Sequence, residues 1–418
     1  MNHPNHLFRQ KTKYFVKIEI GSAYYENVWG GEAMPFYHRL GQLPPKRHIQ
    51  FRQPDGSLYK EQVMGTKGFS GLQSILYHIH PPTQVKEAKW IRPWSIPVEE
   101  EGAQRHRHLL TFRAKEEKDM IEGRKYWLVN EDVAIATVHP VEEMNYFFRN
   151  SDGDEILFVH EGEGVLETIF GDLPYHPGDY LVIPVGTTWR LRMKDKKQRF
   201  LVIESAGEIT TPRRYRNEFG QLMEHSPFCE RDIRVPEVLN PRDERGEYEV
   251  RVKVRGGLHS YIHDFHPFDV IGWDGYLFPW ALNIDDFEPI TGSIHQPPPV
   301  HQTFAGTNFV VCSFVPRMYD YHPLAIPAPY YHSNVHSDEV LYYVKGNFMS
   351  RRGINEGSMT LHPCGLPHGP QPGKTEESIG KKRTDELAVM IDTFRPLKVT
   401  KAALEMEDQQ YMYSWLPE

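Results

Sequence analysis

Three side chains between Tyr330 and Pro370 stand at metal-ligand spacing: His332, Glu339 seven positions on, and His368 beyond a turn. Two imidazoles and one carboxylate on adjacent strands can hold a divalent metal on one face and leave the opposite positions open. That facial arrangement is used by non-haem Fe(II) oxygenases. Asp338 is a rival for the carboxylate position. Upstream, His295 precedes Pro297-Pro298-Pro299, a stiff extended segment. Such stiffness suits a general acid or base, which must stay within hydrogen-bond reach of the substrate. The plainer reading is a loop histidine without a role. His301, six residues later, has less support than His295.

The elements that must position these groups read as strands. V-L-Y-Y-V (340–344) is apolar, β-branched and aromatic, Gly346, Gly353 and Gly357 punctuate a turn, and S-M-T-L-H (358–362) returns. The strand N-F-V-V-C-S-F-V-P-R (308–317) leads toward His332. The spacing H-x-N-x4-E-x6-G, then P-x-G-x-x-H, resembles the cupin signature, although most cupins carry a second His where Asn334 stands. A structural barrel that has lost its metal is the bland alternative, opposed by three intact ligand types.

A second copy of the pattern occurs earlier. N-S-D-G-D-E-I-L-F-V-H-E-G (150–162) lies over N-V-H-S-D-E-V-L-Y-Y-V-K-G (334–346) without a gap, so Glu155 matches Glu339 and Gly162 matches Gly346. That register also favours Glu339 over Asp338. P-V-G-T-T-W (184–189) matches P-C-G-L-P-H (363–368). At the ligand positions Phe148 replaces His332 and Trp189 replaces His368. One carboxylate with two aromatics cannot hold a catalytic metal, so the first unit is expected to be a scaffold and the metal to belong to the second.

The expected architecture is all-β, a bicupin of two jelly-roll barrels: an N-terminal domain over 1–283 containing the degenerate unit (about 140–206), and a catalytic C-terminal domain over 284–418. The 33 prolines and 32 glycines among short apolar runs fit many turns. A net charge of -8 without a basic stripe argues against a nucleic-acid partner. No apolar run spans a membrane, the N-terminus lacks a signal-like core, and three scattered cysteines read as free thiols, so a cytoplasmic protein is expected. The pairs His78/His80 and His106/His108 read as surface or core histidines, the second on a solvated strand or loop. Trp273, Tyr276 and Trp280 read as core or interface. The acidic cluster Glu99 to Glu101 reads as a solvated face, and Tyr14 to Ile20 as a strand. In the run Tyr248 to Val254 the apolar residues are expected inward, with Arg and Lys outward.

Several motifs together resemble the homogentisate 1,2-dioxygenase family: H-Q-P-P-P-V-H (295–301), the strand ending V-P-R (315–317), P-Y-Y-H-S-N (329–334) and L-H-P-C-G-L-P-H-G-P (361–370). G-F-S-G-L-Q-S-I-L-Y (68–77) and D-E-L-A-V-M-I-D-T-F (385–394) extend the resemblance over most of the chain. It implies an Fe(II) enzyme that opens homogentisate with O2 to give maleylacetoacetate in tyrosine and phenylalanine catabolism, assembled as a trimer or hexamer. It implies His332, Glu339 and His368 as iron ligands, His295 as the pocket His near the substrate hydroxyl, and His362 as a second pocket His. Tyr330, Tyr331, Phe304 and Phe348 are candidate walls for the ring of a small aromatic acid. Two departures bear on the substrate: Ser333 stands where the family has Arg, and Phe348 where it has Tyr. A metal-dependent isomerase or a non-catalytic binding bicupin are the alternatives from other classes.

Overall fold

Glu155–Glu161, Asp179–Ile183 and Arg199–Ser205 carry apolar residues at consecutive positions, as strands covered on both faces must. The structure, a computed structural model, describes residues 36–99 and 102–416. The strand expected at Tyr14 to Ile20 and part of the acidic cluster at Glu99 to Glu101 lie outside the described residues. The three apolar strands are neighbours in an eight-stranded sheet. Because strand side chains alternate, each strand feeds two cores. Leu157, Val159, Leu181, Phe200 and Val202 pack with Phe148, Leu166, Trp189 and Leu191 of a seven-stranded sheet, closing the N-terminal barrel. Ile156, Phe158, Tyr180, Leu201 and Ile203 pack on the other side with Val311, Val340, Tyr342 and Ile391 of a six-stranded sheet. The eight-stranded sheet is thus the wall between two cupin barrels. Each large apolar side chain buried in it contributes about 1.5–3 kcal/mol.

The six-stranded sheet runs Gln302–Gly306, Phe309–Phe314, Leu387–Thr393, Asp338–Lys345, Met359–His362 and Arg107–Leu109. Period-two alternation divides its faces. Val340, Tyr342 and Val344 join the shared core, while Glu339, Leu341 and Tyr343 line a cavity on the opposite face. Leu387, Val389 and Ile391 are core, and Ala388, Met390 and Asp392 line the same cavity. Gly346 ends the strand at φ 102°, and a Cβ there would lie 2.5 Å from the carbonyl oxygen of Asp385, which only glycine tolerates.

The two halves exchange strands. Arg107–Leu109 pairs with Met359–Leu361 of the C-terminal sheet, and Lys398–Val399 pairs with Leu128–Val129 of the eight-stranded sheet. His106 and His108 are therefore not solvated as expected: His108 is buried, and His106 is half-buried against the C-terminal barrel. Lys253 turns inward rather than outward and pairs with buried Glu204. Phe304 is fully buried against Tyr180 and Trp280 and forms no part of the cavity wall, because its strand presents it to the shared core. Trp273 and Trp280 are core, whereas Tyr276 is exposed. His78 and His80 are buried and bonded to Asp269 and Asp243. Among the described residues, no helix is long and apolar enough to cross a membrane.

Candidate active site

His332 and His368 reach each other through an antiparallel bridge, each backbone N–H donating to the other's carbonyl at 2.8 and 2.9 Å. The bridge requires close backbone approach, which Gly369 permits: a Cβ there would meet Tyr331 Cδ1 at 2.6 Å. Glu339 opens the neighbouring strand, and the ligand atoms of His332, Glu339 and His368 all lie within 4.8 Å of one another.

Hydrogen bonds set the tautomers. His332 Nδ1 is 3.2 Å from the Tyr330 carbonyl, and His368 Nδ1 is 3.1 Å from that of Leu366. A neutral imidazole that donates its Nδ1–H to a carbonyl presents a lone pair at Nε2. Both Nε2 atoms face Glu339 Oε2, at 3.5 and 3.4 Å, and His368 Nε2 is buried without a hydrogen-bond partner. Two lone pairs and a carboxylate oxygen aimed at one point fit a cation between them. The donor set suits Fe(II), Zn(II) or Mn(II) on chemistry alone.

Asp338 faces elsewhere. Its two oxygens accept the backbone N–H groups of Cys364 and Leu397, at 2.7 and 2.6 Å. Asp154 does the same in the first barrel, with Val185 and Ile209 at 2.8 Å each. The geometry shared by the two barrels makes Asp338 a loop clamp, both its oxygens taken by backbone N–H groups.

His362 is placed differently from the pocket position implied above. It is fully buried behind Glu339, its Nδ1 2.7 Å from Oε1 and its Nε2 3.3 Å from the Tyr411 hydroxyl, and it does not line the cavity. The register sets His362 beside Glu339 as its cross-strand partner, and the rings of His368 and Tyr411 stack over it. Burial drives the His362 imidazole down to about 3, against the pull of Glu339. For Glu339 itself, burial raises the carboxyl, but the three imidazoles outweigh it and hold the group well below the ordinary range.

The cavity in front of the triad is about 350 Å³, within the range of single-ligand pockets. His295, Tyr330 and Phe348 line it; Tyr331 does not, being 65% exposed on the outer side of the loop. His295 is half-exposed, 3.6 Å from Asp320 and edge-on to the Tyr330 ring at 5.0 Å. Phe348 packs on Tyr343 at 4.5 Å.

The sequence reading missed Arg351, Asp392 and the closeness of His106. Arg351 and Asp392 line the cavity, and His106 packs edge-on against His362 and His368. Asp392 sits across the strand pair from Glu339, with a buried oxygen lacking a partner. Burial first, then Glu339, pushes its carboxyl up to about 8. An acid in phase with Ala388 and Met390 was a legible signal; Arg351, in an irregular loop, had none. His301 also lines the cavity, its ring tilted against Phe314 at 4.7 Å, and burial lowers it to about 3.

In the first barrel the same frame is filled by protein. Phe148 and Trp189 form the bridge pair that His332 and His368 form in the second. Arg124 donates to buried Glu155 at 2.6 Å, so a guanidinium stands against the carboxylate that matches Glu339.

Fold and site together define a bicupin with one barrel closed by aromatics and the other carrying a two-histidine, one-carboxylate cluster. Residues 41–284 match the homogentisate 1,2-dioxygenase N-terminal family, and residues 280–417 the C-terminal family. The chain belongs to the homogentisate 1,2-dioxygenase family. It is 44% identical over 385 residues to a Saccharolobus solfataricus protein named "Putative dioxygenase", covering 91% of this chain and 99% of that one. It is 29% identical over 426 residues to homogentisate 1,2-dioxygenase of Bradyrhizobium diazoefficiens, covering 93% and 91%. Among solved structures, a cupin 2 conserved barrel domain protein from Leptotrichia buccalis aligns at TM-score 0.31 and 9% identity, over 71% of this chain and 99% of that one.

Proposed function

We propose that the protein is an Fe(II)-dependent ring-cleaving dioxygenase that opens homogentisate, or a closely related dihydroxyphenyl acid, with O2 to give maleylacetoacetate in tyrosine and phenylalanine catabolism. The observation that carries the reading is the pair of tautomer-fixed imidazoles converging with Glu339 at a one-ligand cavity. His332, Glu339 and His368 would hold the metal. Bound Fe(II) would supply the Lewis acidity and redox chemistry that let an electron-rich phenol react with O2.

The chain's own groups do the rest. His295 stands at the cavity with Asp320 beside Nδ1, placed to take the proton of an entering phenol. Tyr330, turned edge-on to both His295 and His332, and Phe348, against Tyr343, offer apolar contact to a ring. Apolar walls restrict water, which strengthens every charge interaction inside. A homo-oligomeric, cytoplasmic protein belongs to the same reading.

The test is oxygen uptake by the anaerobically Fe(II)-loaded protein on addition of homogentisate, with gentisate and homoprotocatechuate in parallel. Stoichiometric uptake with homogentisate is expected. Uptake with a comparison compound alone would reassign the substrate, and none with any would overturn the dioxygenase reading.

A further inference from the structure

The cavity needs a cation to receive the carboxylate of an aromatic acid, and Ser333 stands where the family resemblance led us to expect one. Among the described residues, two guanidinium groups line the cavity, Arg317 and Arg351. Arg317 has a carboxylate near it, Glu386 at 3.8 Å. Arg351 has none within ion-pair distance among the described residues. Its Nη1 donates to the carbonyls of Gly369 at 2.6 Å and Ser350 at 3.2 Å, and the Tyr411 hydroxyl is a further partner. Its Nε is buried and unpartnered, and the residue is 8% exposed. Elsewhere the chain pairs such groups: buried Arg107 meets Glu407 at 2.6 Å, and buried Arg124 meets Glu155.

We propose that Arg351 is the residue that anchors the substrate carboxylate and so makes this cavity selective for aromatic acids over neutral phenols. The proposal rests on the reading of this cavity as the substrate site. A guanidinium carries five N–H donors in a rigid fork suited to a carboxylate, and an unpaired buried one calls for an anion. Its bond to the Gly369 carbonyl ties it to the residue after His368, which fixes its reach from the triad. The charges agree. A divalent cation, Arg351 and Glu339 sum to about +2 by the ligand chemistry of such sites, which a substrate bearing a carboxylate and a phenolate neutralises. Ser333, Ser350 and Asn334 line the same cavity with neutral polar groups.

The experiment is calorimetric titration of the metal-free protein with phenylacetate and with its neutral counterpart phenylacetamide, which separates acid recognition from turnover. Wild type should prefer the acid by about tenfold or more, the worth of a charge-assisted pair. Arg351→Met should erase that preference, and Arg351→Lys should keep part of it. On the Fe(II)-loaded enzyme, Arg351→Met should raise KM about 10- to 100-fold more for homogentisate than for the neutral 2-methylhydroquinone. Equal binding of acid and amide by wild type, or an undiminished preference in Arg351→Met, overturns the proposal. Should the Met variant not fold, the Lys variant decides: an undiminished acid preference there overturns it. Intact acid preference without turnover of any dihydroxyphenyl acid would sink the reaction assigned above and leave the anchor standing.

Discussion

Replacing His362 by phenylalanine should loosen the metal while sparing turnover at saturating iron. His362 touches one oxygen of Glu339 at 2.7 Å, and the other oxygen faces His332 and His368. Its role is thus to hold the carboxylate so that Oε2 points at the metal position. A buried hydrogen bond to a charged group contributes about 1.5–3 kcal/mol, which converts to roughly a 10- to 150-fold weaker iron affinity. Losses of about 10- to 100-fold are usual for groups that orient metal ligands. Phenylalanine keeps most of the ring that stacks on His368 at 4.6 Å, so the fold should survive. His362→Asn, whose amide can donate, should recover part of the affinity. Competition against a chromophoric chelator measures the affinity, and an oxygen electrode with excess Fe(II) measures kcat. Unchanged iron affinity with collapsed turnover would refute this reasoning and return His362 to the second pocket His that the family resemblance implied.

His332→Ala and His368→Ala should each abolish iron retention with little change in circular dichroism; normal iron content in both would remove them as ligands. Glu204 tests the N-terminal barrel. Burial raises its carboxyl, but Lys253 and Arg124 outweigh that and hold it at about 2. A depressed folded value means stability that is present above about 4.5 and is lost as pH falls toward about 2. Glu204→Gln should therefore cost about 3–5 kcal/mol at neutral pH and flatten the acid limb of a urea-stability series; an unaltered limb would show that another carboxylate governs it. Phe148→His with Trp189→His should fail to capture Fe(II) or Zn(II), because Arg124 already occupies Glu155. Adding Arg124→Ala should permit binding, read by equilibrium dialysis, and a metal-binding double variant would contradict that account.

Local spacing along the chain encodes much of this molecule. The repeat, the strand after Glu339, its glycine stop at Gly346 and the convergence of His332, Glu339 and His368 were all legible. Each follows from the two-residue strand period or from a turn that only certain residues allow. The closed first barrel was legible for the same reason, since Phe148 and Trp189 occupy aligned positions. Other features depend on partners far apart in the chain. Arg107–Leu109 reaches the C-terminal sheet across some 250 residues, which carries His106 to the back of the site. Arg124 finds Glu155, Arg351 comes to the cavity from an irregular loop, and His362 turns behind Glu339 rather than into the pocket. No periodicity announces these placements. They are set by which buried charge meets which partner, and that pairing exists only once the strands have been brought together.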